Sequence, residues 1–434
     1  MLLHWIFTLL SFDFILLTSS METSLTKTRI ELLLLFILYL VILPRVYMTY
    51  DMGFWREWAL YIHQHGLANA YASTSPINYF PVYVYGLYIY DMLQGTDANI
   101  IHNINNIKII FLCFDFLPIV VLCAFRQRIL SFKIPYLFLL LNIAYVFNSL
   151  VWGQIDSIYT SLAFLAIVAG IFYPVTGILL YLLALNTKPQ AIEFLPVIIA
   201  VLLYSVRNFK TAAMIIAGLI ALQVLLLLPF ISNGGPGRLL FFASHAVGLY
   251  HNLSICAFNI WYLITNGNPY YINDNAIYFL FSYKVVGLIL FSISGIAILW
   301  PMIKSIWNLR KKELAFDNTT YKILFLGTGL LCLCFFYFNS QMHERYAHPV
   351  IIFFFFYGVV SKNYKLYILA SIPYFLSLDK CFSYPGGYLP ITHFKIIYAS
   401  KIIAVWYSIT LVYGAYLYYS LIKRGEDKTL ITNN

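Results

Sequence analysis

Apolar stretches of helical length, separated by short polar segments, recur along almost the whole chain. They lie near residues 30–46, 107–125, 134–151, 157–173, 174–187, 190–205, 211–231, 281–303, 321–339, 347–360, 364–378 and 396–421. At about 14 to 26 residues they suit helices that cross a bilayer, whereas the strands of a membrane barrel alternate polar and apolar positions over about ten residues. The pattern predicts an all-α polytopic membrane protein with about twelve transmembrane helices. The stretches at 174–187 and 347–360 are short for a crossing and are expected to be broken or tilted around a cavity.

Residues 79–94, YFPVYVYGLYIYDMLQ, are apolar as well, but they are short, carry Pro81 near their start and are crowded with tyrosines. Counted as a crossing, they would place Arg126/Arg128/Lys133, Arg207/Lys210, Lys304/Arg310/Lys311/Lys312, Lys362/Lys365 and Lys423/Arg424/Lys428 on the side opposite Lys27 and Arg29. Laid along the interface as an amphipathic or re-entrant helix, they put every one of those clusters on the amino-terminal side, and the positive-inside rule selects that arrangement. Both termini are then cytoplasmic. The chain divides into an amino-terminal segment 1–29, a membrane module 30–231 with a large first external loop 47–106 carrying juxtamembrane helices, a second external loop 232–280, and carboxy-terminal membrane helices 281–434. Residues 1–20 form a signal-like apolar stretch interrupted by Asp13, and Met21 opens a more conventional basic lead-in where translation is expected to start; if retained, the first segment is an extra interfacial or signal helix.

Composition narrows this picture. Hydrophobic residues make up 62% of the 434 positions and charged residues only 10%, with mean hydropathy +0.80, which excludes an ordinary soluble domain. The net charge of +10 is spread through short clusters between apolar runs rather than gathered on one water-facing surface, so no nucleic-acid partner is expected. Of the six cysteines most fall inside apolar runs and none form a CxxC pair, which reads as buried structural thiols, with no metal and no disulfide framework.

On this topology the polar candidates share the non-cytoplasmic side. Thr49-Tyr50-Asp51-Met52-Gly53-Phe54-Trp55-Arg56-Glu57-Trp58 follows the first apolar run, with Asp51 and Glu57 as candidate bases; acidic and tryptophan residues are also ordinary at a membrane interface. In Trp152-Gly153-Gln154-Ile155-Asp156-Ser157, Asp156 either orients a sugar hydroxyl or steadies Asp51, caps the next helix, or does both. Asn186-Thr187-Lys188-Pro189-Gln190 places a lysine beside broken backbone, suited to a lipid phosphate or to snorkelling toward headgroups. Gln341-Met342-His343-Glu344-Arg345-Tyr346-Ala347-His348-Pro349 is the densest ionisable group: Arg345 offers a planar fork for phosphate that His343 and Glu344 hold in place, unless Glu344 and Arg345 form a self-contained pair that only fixes the turn. His63-Gln64-His65 has too few companions for a metal site, Asn233-Gly234-Gly235-Pro236-Gly237 reads as a turn after a helix, and no Walker motif, dinucleotide fingerprint or serine nucleophile elbow is present.

Taken in order, DMGFWREWA at 51–59, NYFPVYVYGL at 78–87, FNSLVWGQIDSIY at 147–159, LALNTKPQAIEFLP at 183–196, NLSICAFNIW at 252–261 and MHERYAHP at 342–349 resemble the polytopic GT-C glycosyltransferases, and among them the bacterial relatives of the second mannosyltransferase of GPI-anchor synthesis. The second motif departs from the usual Tyr-Pro-Pro, reading Tyr79-Phe80-Pro81, and the first loop has no adjacent acidic pair, so no metal or other cofactor is expected. The resemblance implies a GT-C-like fold and inverting transfer of a sugar, mannose by family, from a polyprenyl-phosphate donor to a lipid- or glycan-linked acceptor hydroxyl. It implies Asp51 or Glu57 as catalytic base and Gln154, Asp156, Lys188, Gln190, His343, Glu344, Arg345 and Tyr79 as substrate-binding residues. The membrane would be a bacterial inner membrane with the site facing the periplasm or exterior, or the ER membrane in a eukaryote. A lipid-linked sugar transporter or flippase is the alternative; it would spread polar groups through the midplane or repeat broken helices in two related halves.

Overall fold

The computed structural model describes residues 19–46, 50–124, 134–245, 251–382 and 399–431. The expectations for residues 1–18, for Thr49 and for the cluster Arg126/Arg128/Lys133 lie outside the described residues. Within them the chain is helical apart from two pairs of two-residue strands. Segments Ile104–Ala124, Phe209–Asn233, Tyr283–Lys311, Asn318–Phe338 and Ser400–Arg424 are long and apolar enough to cross a bilayer. Leu34, Ile220, Ile293 and Val412 stand more than half exposed on four different helices, while Asp156, Lys108 and Glu344 are buried. Apolar side chains outside and ionisable ones inside reverse the distribution of a water-soluble protein, because the surrounding solvent is hydrocarbon. The protein is an all-helical membrane protein.

Helix α1 (Ser19–Ile42) is followed by α2 (Tyr50–His65), α3 (Pro81–Gln94) and α4 (Asp97–His102). With 14 residues, α3 is about 21 Å long, short of the roughly 30 Å of hydrocarbon. Its Asp91 receives His63 Nδ1 at 2.6 Å, and Gln64 Nε2 donates to Asp97 at 3.0 Å. The histidine-rich end of α2 therefore pins it to α3 and α4. Helix α5 (Lys108–Ala124) returns the chain to the bundle.

The expected single span at 134–151 is instead divided into α6 (Tyr136–Leu140), α7 (Ile143–Val146) and a π-helical turn over Phe147–Trp152. Asn142 causes the break: its Oδ1 caps Ala144 N, while its Nδ2 donates to Tyr367 Oη at 2.6 Å and Ser371 Oγ at 2.8 Å. Helices α8 (Asp156–Phe172) and α9 (Pro174–Leu185) form a tight hairpin, turned at Pro174. A Cβ on Gly177 would stand 2.5 Å from Gly170 Cα, so the two backbones approach as only small residues allow.

A 3₁₀ turn (Pro189–Phe194) leads into α10 (Leu195–Ser205), and α11 (Phe209–Leu227) runs to the glycine turn at Gly234 and α12 (Gly235–His245). The segment expected to be the second external loop adds β1 (Ser254–Ile255), α13 (Trp261–Ile264) and the hairpin β2 (Ile277–Tyr278) with β3 (Phe281–Ser282). Then come α14 (Tyr283–Lys311), α15 (Asn318–Phe338), β4 (Met342–His343), α16 (His348–Ser361), α17 (Lys365–Phe382) and α18 (Ser400–Ile431). Every residue of α16 from His348 to Val360 is buried, so this phenylalanine-rich helix is the axis of the bundle. At one end of the bundle Arg310 Nη1 donates to Val206 O at 2.9 Å and also to Leu203 O, joining the basic end of α14 to the end of α10.

Candidate active site

Helix α2 buries Met52, Trp55, Trp58, Ala59 and Ile62 along one face, the spacing of an amphipathic helix docked on protein. Trp55 Nε1 donates to Gly153 O at 2.8 Å. Gly153 closes the π turn with φ +76°, and a Cβ there would stand 2.6 Å from Met52 Sδ and 3.1 Å from Lys108 Cε. Only glycine combines that left-handed backbone with so close an approach. Lys108 Nζ, behind it, donates to Val46 O at 2.7 Å and Val151 O at 3.2 Å, which ties the ends of three segments together. As a result Asp51, in the first turn of α2, meets the end of the π turn: its Oδ2 accepts from Trp152 Nε1 at 2.7 Å and from Gln154 Nε2.

Asp156 is the first residue of α8, but the cap position belongs to Ile155, which makes no side-chain bond. The Asp156 carboxylate points into the bundle instead, with Oδ1 2.6 Å from Lys188 Nζ and Oδ2 3.6 Å from Arg345 Nε. It is thus neither a helix cap nor the group that steadies Asp51; Gln154 and Trp152 do that. Lys188 reaches it because the chain leaves helical geometry after α9, where Lys188 adopts an extended backbone before Pro189. Its ammonium also lies 4.6 Å from the centre of the Tyr346 ring. Gln190 Nε2 donates to Tyr346 Oη at 3.0 Å and holds that ring. Arg345 Nη1 donates to Glu344 Oε1 at 2.9 Å and lies 3.4 Å from His343 Nδ1. The Glu344–Arg345 pair therefore exists but is not self-contained.

Electrostatics follows from burial and neighbours. Burial opposes ionisation of Glu344, yet His343 and Arg345 outweigh it and hold the carboxyl down to about 2. Burial likewise opposes the Arg345 charge, and Glu344, Asp51 and Asp156 overcome it, keeping the guanidinium well above its ordinary value. Asp51 is accordingly close enough to act on Arg345. Lys188 is pushed down to about 8 by burial and by Arg345 despite Asp156, and burial with Arg345 also lowers His343. Asp156, Glu344, Lys188 and Arg345 gather here with the buried Glu193 beside Asp156 and Lys188, and the two cations can be shared with an incoming anion.

The segment 251–282 clamps the arginine segment. Strand β1 pairs in parallel with β4, setting Ile255 opposite His343. Asp274 Oδ2 accepts from Ser340 Oγ at 2.9 Å and Gln341 Nε2 at 2.7 Å, and Trp261 Nε1 donates to Asn339 O at 3.0 Å.

Of the residues expected from sequence, Asp51, Gln154, Asp156, Lys188, Gln190, His343, Glu344 and Arg345 come together from four separate segments. Tyr79 belongs to an aromatic cluster beside them, its ring 5.3 Å from those of Trp55 and Trp58. Glu57 does not join the group: it is exposed, about 120° around α2 from Asp51. Sequence reading assigned no role to Trp152, Lys108, Tyr346 or His348. His348 is buried, stacked on Tyr145 at 5.1 Å, with Nδ1 3.2 Å from Tyr374 Oη. Tyr346 adjoins Arg345 and Trp152 lies two residues before Gln154, which is the signal that would have found them; nothing local marks Lys108. Comparison of the chain with protein-family models and with curated proteins returns no match.

Proposed function

We propose that this protein is an inverting glycosyltransferase that moves a sugar, mannose by resemblance, from a polyprenyl-phosphate donor to a lipid- or glycan-linked hydroxyl on the non-cytoplasmic face of its membrane. The observation that carries this reading is the meeting of Asp51, oriented through one oxygen by Trp152 and Gln154, with the Lys188–Asp156–Arg345 cluster. A carboxylate with its second oxygen available acts on Arg345, which shares Asp156 with Lys188, and a base near such cations suits displacement of a phosphate by a hydroxyl. The acceptor hydroxyl gives its proton to Asp51 Oδ1 as its oxygen attacks the anomeric carbon; the bond from that carbon to the phosphate oxygen breaks, and polyprenyl phosphate leaves. Arg345 and Lys188 balance the charge gained by the phosphate, and a single displacement inverts the anomeric centre. Trp55, Trp58, Tyr79 and Tyr83, mutually packed at 4.8–5.6 Å, give the sugar an aromatic wall.

A GT-C fold of about twelve crossings suits this reading. A helical segment occupies each of the stretches expected to span, the third as the broken run α6, α7 and π turn. An apolar cavity of about 500 Å³ between residues 137–144 and 367–376 has the chemistry for a prenyl chain. One observation suits the transporter alternative: Asp115 is buried midway along α5, with Ser149 Oγ donating to it. Purified protein given a polyprenyl-phosphate sugar and a crude lipid or glycan acceptor separates the two. Release of polyprenyl phosphate with sugar on the acceptor is expected; movement of intact donor between leaflets without release would reject transfer.

A further inference from the structure

Outside the charged cluster, the external loop brings together two thiols that the proposed reaction does not use. Cys256 follows β1, and Cys381 lies in the last turn of α17, far away in the chain. The contact of Lys380 with Phe258 sets the last turn of α17 against the residues after β1, each thiol acts on the other, and both are partly exposed rather than sealed in the bundle. Cys256 holds φ +55°, a left-handed backbone that a residue with a Cβ rarely takes, and it bridges His343 in the β1–β4 pairing. Its neighbour across the gap is Lys380, whose ammonium lies 4.8 Å from the Phe258 ring. The neighbouring Cys381 thiol and the charge of Lys380 favour the Cys256 thiolate over burial and the Glu344 charge, drawing its thiol below the usual range. These are the surroundings of a reactive cysteine with a second thiol in reach.

We propose that Cys256 and Cys381 form a disulfide that staples the external loop to α17 beside His343 and Arg345. The cross-link rests on the membrane side assigned under the proposed function, because a disulfide persists in an oxidising compartment, and not on the catalytic assignment. The oxidant is a disulfide-bearing protein. Cys256 thiolate attacks one sulfur of its disulfide, giving a mixed disulfide and releasing the other oxidant sulfur as a thiol. Cys381 thiolate then attacks Cys256 sulfur and displaces the second oxidant sulfur, so two electrons and two protons pass from the cysteine pair to the oxidant. Once formed, the link holds Cys256 in its strained backbone and, through the bridge to His343, fixes the segment that presents Arg345.

Intact cells producing the full chain are treated with permeant N-ethylmaleimide, and the protein is denatured with further reagent, reduced, and alkylated with an isotopically heavy form before peptide mass spectrometry. Cys256 and Cys381 are expected to carry the heavy label and Cys332 and Cys334 the light one. In Cys256→Ser, Cys381 should turn light; a heavy Cys381 in that variant means another partner and overturns the pairing. Light label on both cysteines of the unaltered protein also overturns it, and Asn268→Cys, exposed in the same loop, shows what has failed. If an impermeant maleimide labels Asn268→Cys in whole cells, the pairing alone is wrong; if it does not, the side assignment falls with it. Asp51→Asn should keep the heavy pair whatever its activity.

Discussion

Asparagine at position 51 keeps the oxygen that Trp152 and Gln154 hold while removing the proton acceptor. Asp51→Asn is therefore expected to lower single-turnover transfer by about 10² to 10⁴ and leave donor binding nearly intact. Glu57→Gln, altered on an exposed face of α2, should transfer at the normal rate; full transfer by Asp51→Asn would remove the base assignment. The cations need a subtler test than alanine, because Lys188 and Arg345 are buried against carboxylates. Arg345→Ala leaves Glu344 without its partner and should cost about 3–5 kcal/mol of stability as well as donor affinity. Arg345→Lys keeps the charge and loses the fork, so kcat/KM for the donor should fall roughly ten- to a hundredfold with a smaller change in Tm. Lys188 supplies a pH signature: with its ammonium pushed down to about 8, kcat/KM should fall about tenfold per unit as pH rises past that value. Lys188→Arg should abolish that limb; an unchanged profile in it would dissociate Lys188 from the donor. Stability moves the other way, since a lysine lowered on folding carries fewer protons folded than unfolded between about 8 and 10.4, and its contribution rises with pH across that window.

Two glycines carry element-scale consequences. Gly153→Ala adds a Cβ in a left-handed backbone against Met52 and Lys108, at about 1–2 kcal/mol for the conformation alone. Because Gly153 O also receives Trp55, the change should shift α2 and lower transfer more than Tm. Gly177→Leu drives a side chain into the Gly170 backbone, so the α8–α9 hairpin must open, and a loss of at least about 1–3 kcal/mol in thermal unfolding is expected. That Asp156 begins α8 links the hairpin to the charged cluster, and activity should fall in parallel. Much of this scale was legible in the chain. The apolar runs mark the helices, and the tyrosine-rich 79–94 stretch is indeed one short helix. The break at Asn142 was not legible, because asparagine ends a helix only when its amide finds partners, here Tyr367 and Ser371 from α17.

For the whole molecule, the positive-inside count is open to direct test in membranes. Lys311→Cys should be protected from an impermeant thiol reagent in whole cells and Asn268→Cys labelled. Ser340, which also lies on the external side by that count, is a poor probe, since it is buried and bonded to Asp274. Labelling at Lys311→Cys with protection at Asn268→Cys would reverse the orientation and put the charged cluster in the cytoplasm.

Hydropathy by itself determined that this is a helical membrane protein, because hydrocarbon admits only segments that satisfy their own backbone, and such segments are written as apolar runs. It also marked the polar exceptions, since an ionisable residue at a membrane boundary is costly enough to stand out. Only the tertiary structure decided how they pair. Side-chain contacts between distant segments depend on backbone breaks and close approaches that no local pattern encodes: the turn at Gly153 joins Gln154 to Asp51, and the extended Lys188 reaches Asp156. The thiols show the same division. Sequence reading took the cysteines as buried structural thiols, but Cys113 is exposed and Cys256 and Cys381 are partly exposed and in contact. An apolar run fixes which residues enter the bundle; the packing of the segment 251–282 against α17 decides which of them meet.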